Sequence, residues 1–413
     1  MSAAAAFLIS ACHTENVQTF ELDIHHCNSD NLNLRPNMVV ITKMQDLTDG
    51  TPSVAFHYPD EGGTEAGVET GNVLVSFLFS PINPQDLLVL AGRYPVKPSY
   101  TQGGQPILGY DGVARVEAVG PMPSTVPGVS PVRLQPGDLV IPRRHGLGTW
   151  RTRAILRQSD VIRMSPTSEL MGASMLRMAF LPAYLLIEDM CEMTPGDWVV
   201  QNAGSSTIAQ LIVQFARLKG VHTCSVVRDR SAHASKSLEK TLGDNDGQVI
   251  ITQSELAEKG AEAHPALADA VRQGRTVLAL DAVFGEPGRQ LASLLSHGGT
   301  YVNYGSLGGP DSVLAVSQRL LFWSEITFRN FRLSAQLNKR NESQQETLLL
   351  WFQDLLTQGI LRTPKVQTIQ VPTGLSAREG FEEHVKRVIA ADKVAKVGNA
   401  KWVLDLNAPS VGA

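Results

Sequence analysis

The stretch Gln201-Asn202-Ala203-Gly204-Ser205-Ser206-Thr207-Ile208-Ala209 has the composition of a phosphate-binding turn. A dinucleotide site needs a strand running into small residues, so that the backbone can approach a pyrophosphate, and a helix whose first N–H groups face it. A short apolar run, Trp198-Val199-Val200, precedes the turn, and every residue after Asn202 is small except Ile208. Only one glycine is present, so the pattern is not GxGxxG, and an ordinary strand-to-helix turn accounts for it equally well. A second group, Arg228-Asp229-Arg230, follows the apolar pair Val226-Val227. An NAD site carries a carboxylate at that tip for the ribose hydroxyls, whereas an NADPH site replaces it with arginine, whose fork matches the 2′-phosphate. Arg228 stands where the carboxylate would be and favours NADPH. An isolated Arg-Asp-Arg is otherwise a solvated surface cluster, and it is the position after strand and turn that gives it meaning.

Metal and thiol chemistry has thinner support. Cys12, Cys27, Cys191 and Cys224 form no CxxC pair, so they read as free thiols in a reducing compartment. His25, His26 and Cys27 lie together but lack a fourth ligand at suitable spacing. Catalytic zinc needs Cys and His ligands, and no cysteine is suitably placed in the catalytic half, so no metal is expected and an alcohol dehydrogenase is disfavoured.

The elements that must position these residues fall in two patterns. Residues 1–35 are polar, Asn-rich and weakly periodic, and read as a tail. Up to residue 178, short apolar runs alternate with turn signals. Val73, Val75, Phe77 and Phe79 alternate as in a strand that ends at Pro81, and Pro136-Gly137-Asp138 opens the run Leu139-Val140-Ile141. From residue 179 strand and helix alternate. Residues 207–219 form a helix whose Ile208, Leu211, Ile212, Phe215 and Ala216 share a face. Buried strands are expected at 224–227, 249–251, 277–280 and 301–304, with helices at 266–271 and 290–295. This alternation predicts an α/β fold with a doubly wound parallel sheet. Residues 343–357 read as a further helix and Trp402-Val403-Leu404 as a last strand.

The bulk numbers agree with two domains. The chain has 413 residues, 43% of them hydrophobic, 6% aromatic and 18% charged. A formal net charge of -4 gives no basic excess for nucleic acid, and no apolar run is long enough to span a bilayer. The apolar start is short, no Arg precedes Arg35, and Glu15, Glu21 and Asp23 are present, so the N-terminus is a weak secretory or mitochondrial signal.

Larger segments resemble a known family. Ile82-Asn83-Pro84-Gln85-Asp86 with Gly92-Arg93-Tyr94, Gly146-Leu147-Gly148-Thr149-Trp150-Arg151-Thr152, the cofactor turn, Arg228-Asp229-Arg230 and Gly298-Gly299-Thr300 through Tyr304-Gly305 are similar to the mitochondrial trans-2-enoyl-CoA (enoyl-thioester) reductases, which are zinc-independent medium-chain reductases. The match runs from about residue 70 to about residue 405. It implies a GroES-like β-rich catalytic domain (36–178 and 345–413) with an inserted Rossmann domain (179–344). It implies reduction of the C2=C3 bond of enoyl-CoA or enoyl-acyl-carrier-protein thioesters by NADPH, without metal, in a mitochondrial homodimer. It places proton donation to the α carbon, or enolate stabilisation, at Tyr94, and cofactor contacts at Ser205, Ser206, Thr207, Ile208, Arg228, Asp229, Arg230, Tyr304, Gly305, Ser306, Leu307, Phe331, Arg332, Leu333 and Lys401. Asn83 and Trp150 would line the substrate pocket.

The chain also departs from the family. Ala209 and Thr207 replace glycines, Ala179-Phe180 replaces an Asn-Pro pair, Arg332 replaces an aromatic residue, and Gly109-Tyr110-Asp111-Gly112 replaces Gly-Asn-Glu-Gly. These changes gather around the cofactor cleft. They keep open a second expectation, a catalytically inactive reductase fold serving as a subunit of a larger mitochondrial complex; a quinone or alkenal reductase is disfavoured by the segment from Gly146 to Thr152.

Overall fold

The computed structural model describes residues 38–44, 53–59, 67–94, 97–122, 133–230, 242, 248–309, 311–372, 374–393 and 401–407. The expected tail, with Cys12 and the His25-His26-Cys27 group, lies outside them.

The first half is β-rich. Strands β1 (Val40–Met44) and β2 (Ser53–His57) form a hairpin. Then come β3 (Asn72–Pro81), the short pair β4 (Thr101–Gln102) and β5 (Gln105–Pro106), β6 (Val113–Val119), β7 (Leu139–Pro142), β8 (Arg153–Arg157) and β9 (Val161–Arg163). The second half alternates strand and helix through β10 (Trp198–Gln201), β11 (His222–Val227), β12 (Gln248–Thr252), β13 (Thr276–Asp281), β14 (Thr300–Asn303) and β15 (Thr327–Asn330). After the helix Glu342–Thr357 the chain returns with β16 (Val366–Gln370), the helix Arg378–Lys393 and β17 (Lys401–Asp405).

The second half makes one parallel sheet of order β12-β11-β10-β13-β14-β15. Counted within that half the order is 3-2-1-4-5-6, the doubly wound arrangement, and its crevice opens beyond the ends of β10 and β13, where the winding reverses. The returning strands join the first half in a sheet of order β16-β17-β3-β6-β7-β9, with β8 also paired to β3. One sheet is thus interrupted by the other, as a GroES-like domain with an inserted Rossmann domain requires. The expected boundary at 344/345 falls inside the helix Glu342–Thr357. Its Leu349, Phe352 and Leu356 pack in the same core as Leu211, Phe215, Leu78 and Ile141, so this helix joins the two lobes.

Two expected elements gain detail from the structure. The alternating Val73, Val75, Phe77 and Phe79 lie in strand β3 as expected, and Leu74 and Leu78 between them are buried too. Val73, Val75 and Phe77 face the catalytic-lobe core and Leu78 faces the core shared with the nucleotide lobe, so both faces are covered. The helix expected at 290–295 is Glu286–Ala292. Glu286 and Pro287 supply the first-turn signals, and Leu294 and Leu295 follow in the turn after the helix.

Candidate active site

The nucleotide end is built from local sequence. Gln201 closes β10, and its buried amide donates to Ala209 O at 3.0 Å and to Ser225 Oγ at 2.9 Å, tying the turn to β11. Ala203 takes φ 49, a left-handed conformation without glycine. Gly204 is needed for another reason. Its N–H donates to Val226 O at 3.0 Å, and a Cβ there would stand 2.8 Å from Ser225 Cβ. The lone glycine therefore seats the turn on β11. Ser206 caps the helix Thr207–Leu218, its Oγ accepting from Ala209 N–H at 3.2 Å. Other first-turn N–H groups have no partner within a helix, and the dipole favours an anion there. Ala209 is fully buried, so the missing glycine falls on the packed side of the helix.

At the tip of β11, Arg228 is exposed and Arg230 half-buried, and Arg230 Nη2 donates to Ser205 Oγ at 3.3 Å. Burial and the neighbouring Arg230 charge both push the Arg228 pKa down. Asp229 turns elsewhere: its carboxylate accepts from Ser254 N–H at 3.3 Å. Across the crevice, Tyr304 N–H donates to Asp281 O at 2.8 Å and Leu307 N–H to Ala282 O at 3.0 Å. A Cβ on Gly305 would lie 2.6 Å from Ala282 O, so residues 304–307 hug the end of β13. The Tyr304 hydroxyl is sealed from solvent facing Ser206, and burial raises its pKa. Asp281 anchors this edge, receiving Asn202 Nδ2 at 2.5 Å, Val283 N–H at 2.8 Å, Phe284 N–H at 2.9 Å and the Tyr301 hydroxyl.

The catalytic end is built from distant sequence. Asn83 precedes the helix Pro84–Leu90, and Asp86 in its first turn accepts from Asn83 N–H at 2.8 Å. Lys401, which opens β17, donates through Nζ to Asn83 Oδ1 at 2.5 Å. Asp86 is completely buried. Burial pushes its carboxyl up to about 7, against the pull of Asn83, Lys401 and the Gly109 backbone. Tyr94 lies half-buried with its ring edge-on to Tyr110, centroids 5.5 Å apart at 87°. Burial and then the Asp86 charge raise the Tyr94 phenol, and the guanidinium of Arg332 opposes them.

Phe331 is buried, Arg332 exposed, and Leu333 packs against both the shared core and the catalytic-lobe core. The structure thus joins Asn83 to Lys401 and Ser205 to Arg230, sets Ser206 against the Tyr304 hydroxyl, and leaves Tyr94 within reach of the Asp86 and Arg332 charges. Trp150 is different. It is fully buried, its Nε1 donates to Pro81 O at 3.3 Å, and it packs in the catalytic-lobe core.

Sequence reasoning gave Asp86, Asp111 and Arg177 no role in the site. Asp111 is completely buried and accepts from Met178 N–H at 2.8 Å and Gly112 N–H at 3.1 Å. Burial pushes its carboxyl up to about 8, with Arg177 and Lys401 acting the other way. Met178 lies in a wide turn in which Phe180 N–H reaches Met175 O at 3.3 Å, five residues back, and Ala179-Phe180 falls in this turn. Such π-turns concentrate at functional sites. Only Asp111, next to Gly112, carried a local signal. Among the described residues no group of three His, Cys, Asp or Glu could hold a metal ion, and no helix is long and apolar enough to cross a membrane.

No family model matches the chain. The human mitochondrial enoyl-acyl-carrier-protein reductase is 34% identical over 314 residues, which cover 76% of this chain and 79% of that protein. The Candida tropicalis mitochondrial 2-enoyl thioester reductase Etr1p/Etr2p heterodimer superposes with a TM-score of 0.72 at 24% identity, covering 90% of this chain and 99% of that one. A mutant of Etr1p in complex with NADP and crotonyl-CoA gives 0.69 at 25% identity, covering 89% and 98%.

Proposed function

The chain belongs to the family of mitochondrial enoyl-acyl-carrier-protein reductases, and from that premise we propose that it reduces the C2=C3 double bond of trans-2-enoyl thioesters with NADPH. The observation that carries the reading is the arrangement at the ends of the parallel strands. A Ser206-capped helix, Arg228 and Arg230 at the β11 tip, and a Gly305 edge with no room for a side chain meet at the crevice. These residues suit a dinucleotide with a 2′-phosphate. Ser205, Ser206, Thr207 and Ile208 would hold the pyrophosphate, and Arg228 with Arg230 the 2′-phosphate. Residues 304–307, Phe331, Leu333 and Lys401 would border the nicotinamide end. Asp229, engaged with Ser254, would act by steadying this tip.

When bound, NADPH supplies a hydride to the β carbon of the thioester. Tyr94 gives the proton to the α carbon. Its raised phenol stays protonated at neutral pH and is available as a donor to a forming enolate. Lys401 and Asn83, hydrogen-bonded to each other, would line the substrate side of the site. Trp150 would shape the pocket from behind, as part of the core. We assign residues 36–178 and 345–413 to the catalytic domain and 179–344 to the nucleotide domain, the helix Glu342–Thr357 being shared between them, with a mitochondrial location. We also propose a homodimer. β15 is an open sheet edge, and the preceding Leu321, Phe322 and Trp323 are 62%, 64% and 69% exposed, a patch suited to a second copy.

The departure at Ala179-Phe180, buried in the wide turn, favours a second reading, in which the fold is an inactive subunit of a larger mitochondrial complex. Titration of the purified protein with NADPH, with NADH as control, followed by crotonyl-CoA reduction, separates the two. Preferential NADPH binding and turnover support the reductase. No binding at millimolar NADPH sinks it.

A further inference from the structure

β16 ends the catalytic sheet and pairs only with β17 among the described residues. Val371 N–H, just beyond it, donates to Asp405 O at 2.9 Å. Successive residues of a strand bond to opposite sides, so Thr368 and Gln370 turn their backbone groups to the open edge. Such an edge is usually blunted by a charge, a proline or a bulge. Val366-Gln367-Thr368-Ile369-Gln370 contains none of these. A groove follows this edge. Its walls are residues 368–372 with Ala377, Gly380, Phe381 and His384, and no residue of β17 contributes, so it opens on the unpaired side. One face of the edge is apolar, because Ile369, Val371 and Phe381 belong to the catalytic-lobe core. The other face is wet, with Thr368 and Gln370 exposed. Leu375, in the turn between β16 and the helix, is 75% exposed.

A strand added here needs apolar residues at every second position for the helix-covered face and polar ones between them for the wet face. Phe20-Glu21-Leu22-Asp23-Ile24 has that alternation. It lies outside the described residues, and thirteen residues, 25–37, connect it to Met38. The described chain begins beside the groove. Ile41 on β1 pairs with Phe56 on β2, and the Phe56 ring meets that of Phe381 at 5.8 Å. The Tyr58 hydroxyl donates to Glu382 Oε1 at 3.2 Å on the same helix. Fully extended, the connector spans about 45 Å, well beyond the strand pairing and ring contact that separate β1 from the groove. We propose that residues 20–24 add to the open edge of β16 as a strand. Phe20, Leu22 and Ile24 face the groove, and Glu21 and Asp23 face solvent. Backbone bonds to Thr368 and Gln370 hold the segment, and the apolar face sets its register. The inference does not depend on the reductase reading.

Hydrogen exchange of the full chain, read by mass spectrometry with residue-resolving fragmentation, is the test. On so short a connector the segment meets the groove at about millimolar effective concentration. The amides of residues 20–24, Thr368 and Gln370 should therefore exchange about 10-fold more slowly than unstructured amides. Leu22→Asp puts a charge into the groove and should return both sets to the unprotected rate, with the β17 amides unchanged. Leu22→Val should keep the protection. Unprotected amides at residues 20–24 in the wild-type protein overturn the proposal. So does protection of Thr368 and Gln370 that survives Leu22→Asp. Protection lost on dilution overturns it as well, and assigns the edge to a second copy.

Discussion

The two ends of the cleft are made by different means. The nucleotide end uses residues close in sequence: turn, cap and helix lie within residues 201–218, and the arginine pair comes one strand later. Its Ser205, Ser206, Thr207 and Arg230 are half-exposed, and its geometry comes from close approaches at Gly204 and Gly305. The catalytic end joins Asn83 to Lys401, 318 positions away, and places completely buried carboxyls beside a half-buried phenol. One end is a surface shaped to receive phosphate. The other is a dry polar network in which burial sets protonation. The first should therefore govern cofactor affinity and the second the chemical step, and substitutions should separate the two.

The largest separation is expected at Tyr94. Tyr94→Phe removes the proposed proton donor and keeps the ring that packs on Tyr110. It should lower kcat by about 10²- to 10⁴-fold with unchanged NADPH affinity in a fluorescence titration. A parallel loss of NADPH binding would break the division between the two ends. The mirror experiment is Arg228→Ala with Arg230→Ala. Loss of charge-assisted bonds to a 2′-phosphate should weaken NADPH by about 10- to 100-fold and leave NADH constants and kcat unmoved. If NADH weakens equally, the arginines are not reading the 2′-phosphate.

A smaller effect tests how the turn is held. In Gly204→Ala the new Cβ would meet Ser225 Cβ at 2.8 Å and Val226 O at 3.2 Å, so the turn must lift off β11. Overpacking of this kind costs about 1–3 kcal/mol, to be read from urea unfolding together with a weaker NADPH titration. A neutral outcome would mean that the contact with β11 does not set the turn.

The contrast also explains what the sequence made legible. Strand, turn, helix and Arg228 follow one another in order, so the nucleotide end could be placed from composition and period alone. The strand-order reversal that opens the crevice follows from the same alternation. The catalytic end could not be found that way. Asp86 looks like an acidic residue in a first helical turn, and nothing local reveals that Lys401 closes over Asn83. β15 went unseen because an exposed edge strand, Thr327–Asn330, has little apolar signal. The burial of Trp150 against Pro81 at the end of β3 depends on long-range packing that its neighbours in sequence do not show.

The smallest effect probes the dry end through pH. Burial raises the Asp111 carboxyl from its ordinary 3.8 to about 8. Between those values the folded protein holds a proton that the unfolded chain has released. Stability contributed by Asp111 therefore falls as pH rises from about 4 to about 8 and is level outside that window. Asp111→Asn cannot ionise, and its single carbonyl keeps an acceptor for one of the two N–H groups from Met178 and Gly112. The variant should start less stable at low pH because one N–H loses its acceptor, so its absolute Tm decides nothing. The slope decides: from pH 5 to pH 8 the wild-type Tm should fall by about 2–4 °C more than that of Asp111→Asn. Parallel slopes would mean that Asp111 is ionised throughout in the folded state, with Arg177 as its counter-charge. The catalytic end would then be held by a buried ion pair, and the contrast between the two ends would lie in chain distance alone.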